Sequence, residues 1–368
     1  MKIIIAHGGN IGFQGGGTNR VLAFARALAE NGYDVSLVVP KPEGEIPEYA
    51  NSIEMHTVSI TPRSVWDQMP RAFLVSLKAK KIAKREDAIL QIEHSTLGGI
   101  AALLGCSDYV LDVHDLEFDG DLYRKVPMGS RFIHYLERKA VSKAERVVVV
   151  SEPMREFMIG EWNVPEEKIE VIPNGYFAEK LDKFESSGEE EGLISFIGVL
   201  THNVDYGKVI NLAKSRRNAR IYIMGDGPMR VHLQEIVGES GLDNVIVPGF
   251  LPDNEAYGIL ARSQVCINPR KNDLHTTVSA GVKNFDYAAL GKAIATDRDG
   301  TARIFEEHDA ALVSDPANPD EFVENVHRLL DDDSLRRKLG ENARKLVRDF
   351  TWKKQGERLV RVYEKVEL

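Results

Sequence analysis

Residues 2–39 read KIIIAHGGNIGFQGGGTNRVLAFARALAENGYDVSLVV. An apolar run, Lys2–Ala6, leads into a glycine-rich loop. From Thr18 to Glu30 the apolar residues Val21, Leu22, Ala25, Leu28 and Ala29 recur at helical spacing on one face. Thr18 is a candidate N-cap and Gly32 a candidate stop. A second apolar strand, Asp34–Val39, follows, so the stretch predicts a βαβ unit and a parallel sheet.

The pattern continues outward. AILQIE (Ala88–Glu93), YVLDVH (Tyr109–His114), RVVVVS (Arg146–Ser151) and KIEVIPNG (Lys168–Gly175) extend the first series. Their unalternated apolar character suits strands covered on both faces. A second series runs GLISFIGVL, ARIYIMG, NVIVPGF, QVCINP, KAIATD and AALVSD, with helical patterns between. The acidic stretch Glu179–Gly192 is poor in apolar residues and is expected to connect two domains. Two doubly wound sheets would present their ligand-binding strand ends.

The chain has 368 residues, enough for two cores, and is 43% hydrophobic and 28% charged. Its net charge of -9 argues against bulk nucleic-acid binding. Cys106 and Cys266 sit in or beside apolar runs and have no metal-ligand spacing. No signal-peptide pattern follows Met1 and no apolar run reaches membrane-span length, so a cytoplasmic protein is expected. Dinucleotide binding is disfavoured. Gly17 is followed by Thr18, Asn19 and Arg20, and the second strand ends in Val39-Pro40-Lys41 rather than a ribose-binding acid. Asp119-Gly120-Asp121 and Asp297-Arg298-Asp299 resemble D-x-D metal motifs but are expected to be loop acids.

Taken together, GGGTNRVLAFARALAENGYDVSLVV, VLDVHDLEF, AERVVVVSEPMREFM, KIEVIPNG, IYIMGDGPMR, NVIVPGFLPD and GVKNFDYAALGKAIATD resemble the group 1 (family 4-type) glycosyltransferases. The resemblance implies the GT-B fold: two Rossmann-like α/β domains facing a central cleft, with the C-terminal helix crossing back to the first. Domains are expected at 1–178 (acceptor-binding), 179–350 (nucleotide-sugar-binding) and 351–368 (the returning helix). It also implies metal-independent sugar transfer from a nucleotide-sugar donor with retention of configuration, and no cofactor. Two departures stand out. The family's Arg and Lys after the first strand of the second domain are replaced by His202 and Asn203, with Lys208 further on. Of two family glutamates two helical turns apart, the second is matched by Asp286 and the first falls at Val278. A sugar-nucleotide epimerase of the same fold and a non-catalytic nucleotide-sugar-binding protein therefore stand as alternatives.

The candidate residues follow. Lys283 and Asp286 are three apart and share a helix face, preceded by Thr276, Thr277, Ser279 and Gly281. Lys283 at a helix N-terminus suits a departing diphosphate, and Asp286 suits a ribose. The bland reading is a surface ion pair. Arg270, just past the strand VCIN, could replace the missing phosphate Arg. His114 closes a strand and could contact the reacting sugar. The resemblance adds Gly16, Gly17, His202, Asn203, Gly225, Asp226, Phe250, Thr276 and Ser279 on the donor side, and Thr18, Asp115 and Glu117 on the acceptor side. Trp66–Arg85 combines Trp66, Phe73, Leu74 and Leu77 with Lys78, Lys80, Lys81, Lys84 and Arg85, as a basic amphipathic helix would. It is a candidate for peripheral contact with the inner face of a membrane, or a solvated helix flank. A glycan, lipid-linked or small-molecule acceptor is the expected partner.

Overall fold

The computed structural model describes residues 1–12, 15–47, 50, 52–60, 67–119, 128–184 and 188–366. The chain divides into two compact units. The first comprises Met1–Asn174 with Trp352–Leu368, and the second Gly175–Thr351.

In the first unit the described strands are β1 (Lys2–Ala6), β2 (Asp34–Pro40), β3 (Glu54–Val58), β4 (Ile89–Glu93), β5 (Tyr109–Val113), β6 (Ala144–Val149) and β7 (Ile169–Val171). They form one parallel sheet in the order β3-β2-β1-β4-β5-β6-β7. Ile3, Ile4 and Ile5 are fully buried, as strands covered on both faces require. The helices are α1 (Gly16–Glu30), α2 (Gln68–Glu86), α3 (Ser95–Leu103), α4 (Gly129–Lys143) and α5 (Glu152–Trp162). Helix α1 starts two residues before the sequence expectation. Its N-cap is Gly15, and Thr18 lies buried in the first turn instead of capping it. Strand β3 escaped the sequence reading, because EMHTV carries too few apolar residues to signal a strand on its own.

The second unit holds β8 (Leu193–Ile197), β9 (Arg220–Met224), β10 (Val245–Gly249), β11 (Val265–Asn268), β12 (Ala293–Asp297) and β13 (Leu312–Ser314). The sheet order is β10-β9-β8-β11-β12-β13, again parallel. Helices α6 (Ala178–Leu181), α7 (Tyr206–Ser215), α8 (Arg230–Glu239), α9 (Asp253–Arg262), α10 (Leu274–Val278), α11 (Val282–Ala289), α12 (Ala302–Glu307), α13 (Pro319–Asp331) and α14 (Asp333–Val347) surround it. Alternate strand residues supply two cores. Ile194, Val265, Ile267, Ala293 and Ala295 pack into one, and Leu193, Cys266 and Ile294 into the other. Both cysteines are free and buried.

The acidic stretch 179–192 is not the connection between units. It lies inside the second unit, where Glu189 pairs with Arg336 and Lys292, and Glu190 pairs with Arg220 and Arg262. Its acidity serves those bridges. The chain changes unit at Asn174/Gly175 and again at Thr351/Trp352, where Tyr176 and Thr351 pair as a short parallel bridge within the second unit. The last helix, α15 (Trp352–Glu364), belongs to the first unit. It packs so tightly on α1 that a Cβ on Gly356 would stand 2.1 Å from the Ala27 Cβ. Among the described residues no helix is long and apolar enough to cross a membrane.

Candidate active site

Ligands in open α/β sheets bind beyond the carboxyl ends of the strands, at the point where strand order reverses. In the first unit that point lies between β1 and β4. His7 follows β1, His94 follows β4 and His114 follows β5. The His94 and His114 rings stand edge to face with centroids 4.4 Å apart, and His7 lies 5.9 Å from His94. Gly17 sits over them: a Cβ there would lie 3.6 Å from His114 Nδ1 and 3.9 Å from His94 Nε2. His94 is held at φ 75°, a costly left-handed conformation for a non-glycine residue.

His114 is buried and faces two carboxylates. Its Nε2 stands 2.9 Å from Glu93 Oε2 and 3.2 Å from Asp112 Oδ2. Burial alone would lower its pKa, but the carboxylates outweigh that and push it up to about 9, so the ring is an imidazolium at neutral pH. Burial raises Asp112, but Arg20 overcomes this and holds it ionised. Arg20, fully buried, donates from Nε and Nη2 to the two Asp112 oxygens at 2.8 and 2.9 Å. Glu93, Asp112 and His114 bring ligand-type atoms within 4.8 Å of one another. With Arg20 and the imidazolium already pairing the carboxylates, the set is a closed ion-pair network. His94 is pulled down to about 3, by burial first and then by the His114 charge, so it stays neutral. The Nδ1 atoms of His7, His94 and His114 have no hydrogen-bond partner among the described residues.

The other first-unit candidates lie around this group. Gly16 opens α1 beside Gly17. Thr18 donates to the Asn10 carbonyl at 3.5 Å. Asp115 is half-buried next to His114. Glu117 turns inward, where burial raises its pKa and Thr96 contacts it, and its backbone N–H donates to Glu137.

In the second unit the corresponding reversal lies between β8 and β11. Arg270 follows β11 and is buried. Its Nη2 donates to Ser279 Oγ at 3.3 Å, while Nε has no partner and no carboxylate pairs with it among the described residues. Its loop is fixed from below. Lys208, fully buried, donates to the Arg270 carbonyl and pairs with Asp297 at 2.8 Å, and Asp297 accepts from the Arg270 N–H. Lys208 is thus occupied with structure and does not replace a phosphate-binding residue.

Lys283 is the second residue of α11, whose N-cap is Gly281. Its ammonium lies 5.0 Å from the centre of the Phe196 ring and beside Gly198. It makes no ion pair with Asp286 or any other described residue. Burial, then the nearby Arg270 charge, brings its pKa down to about 7. Asp286 instead accepts from Tyr257 Oη at 3.1 Å, and burial pushes its pKa up to about 6. The surface ion pair is therefore not the role of these residues.

The remaining donor-side candidates spread along the same strand ends. Thr276 and Ser279 are buried, and Thr276 Oγ1 has no hydrogen-bond partner among the described residues. His202 is half-buried, and Asn203 Nδ2 stands 3.2 Å from His275 Nδ1. Gly225 has φ 137°, and a Cβ there would lie 1.9 Å from the Gly198 carbonyl oxygen, so only glycine lets these loops approach. Asp226 caps the Gly227 N–H, and Phe250 is 68% exposed at the end of β10. Val278 is buried, leaving no carboxylate at that position. Asp299 accepts from Thr301, Ala302 and Asn268, and Asp297 from Lys208 and Arg270, so this D-x-D is structural. Asp119 lies at the edge of the description, and Gly120 and Asp121 fall outside it, as does Trp66.

The sequence matches the family model for Glycosyltransferase Family 4 over residues 14–180, and that for Glycosyl transferases group 1 over residues 177–346. The chain is a group 1 glycosyltransferase. This glycosyltransferase is 24% identical over 367 residues to an uncharacterized glycosyltransferase of Methanocaldococcus jannaschii, covering 92% of each chain. It is 20% identical to an N-acetylgalactosaminyltransferase of Campylobacter jejuni whose named acceptor is a diphospho-undecaprenol glycan, covering 91% of this chain and 92% of that one. Its fold matches that of HepE of Anabaena, solved with UDP-glucose, at a TM-score of 0.76 and 15% identity over 99% of each chain. The glycosyltransferase is thus of the GT-B class, with two parallel-sheet Rossmann-like domains.

The residues missed by sequence reasoning are those that hold the candidates. Arg20, Gln91, Glu93 and Asp112 support His114, and Lys208 and Asp297 support Arg270. Their signal was a polar residue inside an otherwise apolar strand or helix face, as in ILQIE and YVLDV.

Proposed function

We propose that this glycosyltransferase moves a sugar from a nucleoside-diphosphate sugar to a hydroxyl of a glycan, lipid-linked or small-molecule acceptor. The observation that carries the reading is the pair Arg270 and Lys283. Two cations at the strand ends stand without a carboxylate partner, close enough that one lowers the pKa of the other. Such a pair is unfavourable until an anion arrives, and a diphosphate supplies that anion. The N-terminal N–H groups of α11 add their partial positive charge. Asp286 accepts ribose hydroxyls, and Phe250 offers an exposed ring to a base near Gly225 and Asp226.

As the bond from the anomeric carbon to the phosphate oxygen breaks, the electron pair stays on the diphosphate. Lys283 and Arg270 meet that growing charge. This makes the reaction metal-independent, a reading supported by the full engagement of Asp297 and Asp299 within the protein. His114 offers a free Nδ1–H to the reacting sugar, and Asp115 and Glu117 serve the acceptor side. Retention follows the family chemistry, with the acceptor proton leaving on the diphosphate.

Peripheral contact with the inner face of a membrane belongs to the same reading. Phe73 and Leu77 of α2 and Met128, Phe132 and Tyr135 at α4 are exposed, with Lys81, Lys84, Arg131 and Arg138 around them. The test of function is product analysis with UDP-glucose and other nucleotide sugars in EDTA, with and without glycoside acceptors. Acceptor-dependent glycoside with the donor's anomeric configuration is expected. Isomerised or hydrolysed donor alone would mark an epimerase-type activity, and no turnover of any donor a binding protein.

A further inference from the structure

The His114 network does not end at its carboxylates. Gln91 and Glu93 are two apart on β4 and project to the same face. Gln91 Nε2 donates to Glu93 Oε1, and Gln91 Oε1 accepts from the hydroxyl of Tyr363 on α15. Glu93 Oε2 faces His114 Nε2 at 2.9 Å. Gln91, Glu93 and Tyr363 are each within 1% of complete burial, so no solvent substitutes for any of these contacts. The two hydrogen bonds have one consistent direction, and the contact of Glu93 with His114 is an ion pair. A buried carboxylate needs a donor, so the Gln91 amide must turn its NH2 toward Glu93. Its oxygen then faces Tyr363, whose hydroxyl must donate.

We propose that Tyr363 and Gln91 are positioning residues for His114, acting through Glu93: the C-terminal helix fixes the amide, the amide fixes the carboxylate, and the carboxylate fixes the imidazolium so that its Nδ1 faces Gly17. The proposal rests on the reading of His114 as substrate-facing. The second carboxylate at the same ring nitrogen is held in the same manner. Asp112, aligned with Glu93 on the neighbouring strand, is fixed by Arg20, which also donates to the Pro173 carbonyl and to Asn174 Oδ1 at 3.3 Å each. Asn174 is the last residue of the first unit before the chain leaves it, and α15 is the first element after it returns. Both passages of the chain therefore end in the support of one histidine. A purely packing role for α15 requires no hydroxyl at Tyr363, since its ring already lies against Tyr33. The groups facing His114 are Glu93, Asp112 and His94, with Arg20, His7 and Asp115 beyond them.

The test is a titration of the His114 imidazole by NMR in the full chain without donor, assigned with His114→Asn, together with melting temperature. Tyr363→Phe removes only the hydroxyl. The proton affinity of His114 is expected to fall about tenfold or more, one unit in the midpoint, and acceptor-dependent turnover to fall with donor affinity unchanged. Leu359→Val, a buried packing change on the same helix, is expected to lower the melting temperature and leave the midpoint where it was. Gln91→Met interrupts the relay from the other side and is expected to shift the midpoint as Tyr363→Phe does, so it carries the test should the tyrosine variant fold poorly. An unchanged midpoint in folded Tyr363→Phe or Gln91→Met, or an equal shift in Leu359→Val, would overturn the proposal. Because the titration uses no sugar, its outcome is independent of whether the transfer reaction has been assigned correctly.

Discussion

At the residue scale, the candidate groups of the two units carry charge in opposite ways. Lys283 is a cation kept short of partners. Burial, then Arg270, lowers its pKa to about 7, while burial raises Asp286 to about 6. Donor affinity is therefore expected to weaken as pH falls through about 6, where Asp286 loses its charge, and as it rises above about 7, where the free enzyme must take up a proton to bind a diphosphate. Calorimetry across pH checks this. Lys283→Ala should lose the alkaline limb and ~10²–10³ in turnover, with the fold intact. Asp286→Asn should lose the acid limb and weaken binding more than turnover.

His114 works the other way. Its folded pKa of about 9 exceeds the ordinary 6.5, so it adds stability that is complete below 6.5 and lost as pH rises through 9. The melting temperature of the wild type should fall over that window relative to His114→Asn. A parallel pair of curves would contradict the charged state. Lys283 and His114 were visible in the sequence through helix spacing and strand-end position. Their supports were not. A single Gln, Glu or Asp inside an apolar strand looks like an exposed edge position, and only the structure brings Tyr363 to Gln91 from 272 positions away.

At the element scale, reading by periodicity succeeded where burial on both faces made strands predominantly apolar, as in β1, β5 and β6. It failed where charge was informative only through its partner. The 179–192 segment looked like a linker because Arg336, Lys292, Arg220 and Arg262 lie far away in sequence. Contact between α1 and α15 is set by Gly356, and its glycine was silent in sequence. Gly356→Val should force the helices apart and destabilise by ~1–3 kcal/mol, read as a lower melting temperature.

The α2 and α4 surfaces make a second expectation. Phe132 and Tyr135 alternate with Arg131, Arg138 and Lys139, and Lys139 lies over the Tyr135 ring. Aromatic and basic residues so interleaved suit an anionic bilayer. Co-sedimentation with phosphatidylglycerol vesicles should exceed that with phosphatidylcholine vesicles, and Phe132→Ser with Tyr135→Ser should reduce it without changing the melting temperature. Equal sedimentation with both lipids would count against an electrostatic footing.

At the scale of the whole molecule, the two units repeat one solution. Each places candidate residues where strand order reverses, His7 and His94 on one sheet and Gly198 and Arg270 on the other. This much follows from doubly wound parallel sheets, which the alternating sequence pattern already implied. The proposed division of labour between the units rests on the two buried cations of the second, Arg270 and Lys283, which no carboxylate pairs among the described residues. The most direct measurement is binding of UDP and UDP-glucose, then of GDP and ADP counterparts, to wild type, Lys283→Ala and Arg270→Ala in EDTA by calorimetry. One nucleotide series should bind the wild type without metal, and each substitution should weaken the diphosphate far more than the free nucleoside. Tight metal-free binding that survives loss of both cations, or binding that requires a divalent ion, would contradict the account.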